Sequence, residues 1–149
     1  MEKMFIEIDE NARKREETLK RATQFLNTLI KTLYGKRIGR KVEIPVEGVS
    51  TPVYCVTHFG WGKVSDNWSL YVVCVDKDVV LDLPKGTKGE TETLWEGYNR
   101  PLMELSQRTR LALLDKIPAL LREISRILKE DTEQIGQKLD ALEDLLGAL

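Results

Sequence analysis

A chain of 149 residues, 42% hydrophobic and 32% charged, carries enough apolar material for one buried core, which excludes an intrinsically disordered protein. A net charge of −1 and a pI near 6.0 lack the strongly basic signature of a dedicated nucleic-acid domain. The near-neutral sum hides opposed blocks. Residues 11–41 hold ten basic and two acidic groups, whereas residues 130–149 hold one basic and six acidic.

The first ten residues, Met-Glu-Lys-Met-Phe-Ile-Glu-Ile-Asp-Glu, do not follow the charged-then-apolar pattern of a signal peptide. No apolar run approaches the ~18 residues that would suggest a membrane span. Two cysteines do not make a disulfide framework. The expectation is a cytoplasmic chain with no membrane partner.

Helical periodicity predicts a first helix over residues 9–34. Leu19, Ala22, Leu26, Leu29, Ile30 and Leu33 recur at steps of three and four and share a face. Asp9 or Asn11 is suited to accept from the free amides of the first turn, and Gly35 to close the helix in a left-handed conformation.

Over residues 41–83 the period falls to two, predicting an antiparallel sheet. Val42, Ile44 and Val46 alternate with polar residues until Pro45 intrudes, which marks an edge strand. Residues 51–59 and 68–76 are rich in β-branched and aromatic side chains, and residues 60–67 read as the hairpin loop joining them. A last strand is expected at Val79–Leu83, ended by Pro84 and Gly86.

Residues 84–100 read as a polar connection. An apolar stripe from Leu102 to Leu128 then predicts a helix over 101–130, kinked near Asp115–Ile117 because Pro118 lacks a backbone donor. Asp131, followed three residues later by Gln134, resembles a capping box and predicts a separate C-terminal helix over 132–148. The fold class expected is α+β in a single domain, 1–149. It has an N-terminal helix, a small three- to four-stranded antiparallel meander, and two or three C-terminal helices.

The C-terminal helix carries the most distinctive pattern. Ile135, Leu139, Leu142, Leu146 and Leu149 are spaced 4, 3, 4 and 3, the seam of a coiled coil, on an otherwise polar and acidic segment. About two heptads are too few to decide between packing on the protein's own helices and packing on a second copy. Ile124 and Leu128 are expected to extend the contact.

Lys36, Arg37, Arg40 and Lys41, with Gly35 and Gly39 among them, could grip phosphates through long cations and glycine amides. The alternative is a solvated helix end, and it is favoured. His58 and Trp61, in a run of aromatics and glycines, are candidate ligand contacts, with strand packing as the competing reading. A nucleophilic set of Cys55, His58 and Asp82 has no motif to fix its geometry, and no metal-ligand cluster or cofactor motif is present. Cys55 and Cys74 fall on paired strands, as a bridge or as two buried thiols. The function expected is therefore a non-enzymatic interaction module, homodimeric or otherwise homo-oligomeric through its C-terminal helices. A nucleic-acid accessory role through residues 13–41 is the alternative, and a ligand or enzymatic site at His58–Trp61 the third.

Overall fold

The computed structural model describes residues 1–77 and 97–149. Among them the chain forms two compact units, Met1–Gly39 and Arg40–Leu149. The fold is α+β, with an N-terminal helix, a four-stranded antiparallel sheet and C-terminal helices.

The first unit is dominated by one helix, α1 (Glu2–Gly35), of 34 residues. It starts seven residues before the expected position 9 and runs straight through Asp9 and Asn11, so neither caps it. The reason is an apolar 4-3 spacing that begins earlier, at Met1, Phe5, Ile8 and Ala12, and is broken only by Arg15 before Leu19. At the far end Gly35 stays helical. Lys36 donates to the carbonyls of Leu33 and Thr32, and Arg37 takes the left-handed conformation at φ 54°.

The second unit is built on a sheet of β1 (Val42–Pro45), β2 (Tyr54–Val64), β3 (Asn67–Asp76) and β4 (Tyr98–Pro101), hydrogen-bonded in that order. β1 is an edge strand, as Pro45 requires. The expected hairpin loop at 60–67 is a correction: residues 60–64 belong to β2. The turn is only Ser65 and Asp66, both at positive φ, which suits the right-handed twist of the strands they join. β4 lies in the expected connection 84–100. The strand expected at Val79–Leu83 falls outside the described residues.

Register sorts the side chains. Val42 pairs with Trp61, Phe59 with Val72, and Trp61 with Leu70. Together with Val56 and Cys74, these residues make the buried face. A bulge between Val56 and His58 keeps the alternation in phase along the long strand β2.

Beyond β4, a 3-10 turn (Leu102–Glu104) leads to α2 (Gln107–Ala112). Its N-cap, Ser106, accepts from the amide of Thr109. Arg110 donates to the carbonyls of Met103 and Leu105 at 3.3 and 3.0 Å and ties the segment down. A second 3-10 turn (Leu114–Lys116) precedes α3 (Ile117–Ala148), with Pro118 in its first turn. The break near Asp115–Ile117 is therefore present, but the expected boundary at Asp131 is not. The 101–130 and 132–148 helices are replaced by short pieces and one continuous helix of 32 residues. Asp131 points at Arg40 rather than at a helix amide.

α3 packs on β1, burying Ile117, Leu120 and Ile124. Its course past that contact governs the candidate site. At ~1.5 Å per residue the helix extends about 48 Å, and no residue after Ile124 is buried.

Candidate self-association surface

Leu121, Leu128, Ile135 and Leu142 along α3, and Leu149 at its C-cap, recur every seven residues and are 37% to 95% exposed. Leu139 and Leu146 fill the intermediate positions of the seam, and Leu145 lies beside it, all exposed. Every member of the expected set Ile135, Leu139, Leu142, Leu146 and Leu149 thus lies on one exposed helix face. Leu128 joins it, whereas Ile124 turns into the protein's own core. Sequence reasoning misses Leu121 and Leu145. By periodicity Leu121 reads as part of the core stripe, and Leu145 lies just off the 4-3 count.

Ion pairs fix the root of this surface. Arg40 pairs with Asp131, joining the segment that leads into β1 to α3 seven residues past its last buried side chain, Ile124. Arg126 bridges Glu123 at 2.7 Å and Glu130 at 2.8 Å along the helix. The hydrogen bonds from Arg126 lower the Glu123 carboxyl below its ordinary range. Gly136 and Gly147 lie within the continuous helix, and apart from its own backbone no atom comes within 4 Å of where a side chain would begin.

Of the four basic candidates, Lys36 and Arg37 belong to the first unit, and Arg40 and Lys41 open the second and are engaged there. Lys41 lies 3.2 Å from Glu43 and sits over the Tyr71 ring, 5.7 Å from its centre. Tyr71 donates its hydroxyl to the same Glu43 carboxylate. Burial pushes the Glu43 carboxyl up, but the hydrogen bonds from Tyr71 and Lys41 outweigh it and leave it below the ordinary range. The Tyr71 phenol is pushed well up, by burial first and then by that bond.

His58 and Trp61 both lie in β2, not in a loop. Trp61 is 1% exposed and stacks on Trp68 with ring centres 6.3 Å apart, so its ring is core rather than a platform for a ligand. Its glycine neighbours have a packing reason. The Tyr71 ring lies against the backbone at Gly60 and Gly62, where a Cβ would come within 3.0 and 2.9 Å of it. His58 is half-buried, its Nδ1 3.0 Å from the Thr57 hydroxyl. Asp82, the third member of the nucleophilic set, falls outside the described residues. Among the described residues, no three or more His, Cys, Asp or Glu side chains are grouped to hold a metal ion, and no helix is long and apolar enough to cross a membrane.

Cys55 and Cys74 are unbridged. Cys55 pairs with Val75 and Cys74 with Val56, so the two thiols point to opposite faces of the sheet and cannot reach one another. Burial pushes the Cys74 thiol up to about 11, opposed by Arg100 and assisted by Asp76. In the native state at mildly alkaline pH, a thiol reagent is expected to modify Cys55 slowly and Cys74 only after unfolding. Rapid modification of both would contradict the register.

No protein-family model matches the chain, no curated protein is significantly similar to it, and no solved structure matches it.

Proposed function

We propose that the chain is a non-enzymatic interaction module of the cytoplasm that self-associates through α3, as a homodimer or another homo-oligomer. The observation that carries this reading is the exposed heptad face from Leu121 to Leu149. Each Leu or Ile is worth ~1.5–3 kcal/mol when fully buried, so leaving this face in water forfeits roughly 10 kcal/mol per copy. Pairing recovers enough, over two copies, to offset an association cost of about 4–15 kcal/mol. Most helical stability in proteins comes from the packing of an amphipathic face, and pairing supplies that packing to α3 beyond Ile124.

The test replaces Leu139 and Leu142 together with Glu. Both side chains are exposed, so the variant should keep the thermal midpoint that the parent shows at low concentration. It should sediment as a monomer at concentrations where the parent is associated. Unchanged association would reject this face as the contact.

A further inference from the structure

We propose that two copies of α3 pair antiparallel, in a register whose two-fold axis passes between Glu133 and Gln134. This rests on the self-association reading above and adds an orientation and a set of contacts to it.

The orientation follows from the residues that flank the seam. On one side, at seven-residue steps, stand Arg122, Lys129, Gly136 and Glu143. On the other stand Ile124, Asp131, Lys138 and Leu145. In an antiparallel pair each flank meets its own counterpart running the other way. With the axis between Glu133 and Gln134, Arg122 meets Glu143 of the second copy, and Asp131 meets Lys138 of the second copy. Each pair occurs twice, and every charged contact between these flanks is between opposite signs.

The seam closes in the same register, with two wholly apolar layers and two mixed ones. Leu121 faces Leu146 of the second copy and Leu128 faces its Leu139, while Thr132 faces its Ile135 and Ser125 its Leu142. Leu121 and Leu128 are exposed on the helix that bears them, so both are free to receive these neighbours. Leu145, 60% exposed, is brought beside Ile124 of the second copy at the margin of that copy's core. Asp131 already accepts from Arg40, and a carboxylate has capacity for a second donor, so Lys138 of the second copy adds to that pair without displacing it.

A parallel pair brings opposite flanks together and uses fewer of these charges: Lys138 still meets Glu143 of the second copy, but Asp131 falls beside Gly136, so two opposite-sign contacts form instead of four. It gathers Asp140, Glu143 and Asp144 of both copies at one end and leaves Arg122 beside an apolar position. Charge complementarity therefore selects the antiparallel arrangement of a second copy over the parallel one.

A double-mutant cycle on the full chain tests it. Arg122→Glu and Glu143→Arg lie on one helix about 32 Å apart, too far to interact within a chain. Measured by sedimentation at low salt, each single reversal is expected to weaken self-association by about tenfold, and the double reversal to return it to within about threefold of the parent. A dimer in which Arg122→Glu has no effect, or in which the double reversal is no better than Glu143→Arg alone, would overturn the antiparallel register while leaving self-association through α3 in place. A parent chain that is monomeric throughout would overturn both.

Discussion

A chain ended after Asp131 is expected to stay folded and to lose self-association. Nothing between Thr132 and Leu149 is buried, so the removed segment contributes no side chain to the core around Phe59, Trp61 and Leu70. Keeping Asp131 preserves its pairing with Arg40. Keeping Ile117, Leu120 and Ile124 preserves the contact of α3 with the sheet. Compared at a dilution where the full chain is dissociated, the two thermal midpoints should agree closely, because mass action no longer stabilises the longer chain. At higher concentration they should diverge, as only the full chain gains from association. Far-ultraviolet circular dichroism should register the loss of the helical tail and little else. A shortened chain that unfolds would mean that the tail completes the protein's own core. One that remains associated would place the contact elsewhere.

The second large effect is expected at Gly60. A Cβ there would collide with the carbonyl oxygen of Val42, and would lie 2.9 Å from the Glu43 side chain and 3.0 Å from the Tyr71 ring. A backbone oxygen in the β1–β2 ladder cannot move aside without breaking the pairs Val42–Trp61 and Glu43–Gly60. Gly60→Ala should therefore cost about 3 kcal/mol, at the upper end of overpacking effects, and lower the thermal midpoint by roughly 6–12 °C. Gly136→Ala is the matched control. No atom lies within 4 Å of its would-be side chain, and the site is interior to a helix. Alanine there should stabilise α3 by up to ~1 kcal/mol. Thermal or urea unfolding of the two variants decides this. Equal, small effects at both sites would contradict the close approach of β1 and Tyr71 to β2.

The tail of α3 and the backbone around Gly60 are unequally legible in the sequence. The seam on α3 is readable because Ile and Leu at 4-3 spacing, isolated among charged residues, suit the packing of one helix on another and little else. Whether it packs inward or outward is not readable, since that depends on how far the helix runs past the sheet. The Asp131–Gln134 pattern misleads for a related reason. A capping residue stabilises a helix end but does not create one, and neither Thr132 nor Glu133 interrupts the chain's helical preference.

The hairpin is harder to read. Gly60 and Gly62 suggest a loop by composition, yet they lie inside β2 because the Tyr71 ring needs bare backbone beneath it. That requirement is set by a residue paired across the sheet and is invisible locally. Trp61 misleads with them; between two glycines it reads as exposed, whereas its own side chain enters the core. The true turn, Ser65-Asp66, lacks the glycine that marks such turns most clearly. In α1, Asp9 and Asn11 draw the expected boundary inward and hide the apolar residues Met4, Phe5, Ile6 and Ile8, all of which are exposed on the helix.

The most direct test of the central claim is the mass of the full-length chain by sedimentation equilibrium, followed from dilute to concentrated loading. The exposed heptad face on α3 predicts a reversible shift from the 17.1 kDa chain mass to twice that value. A mass that stays at 17.1 kDa at every loading would contradict it.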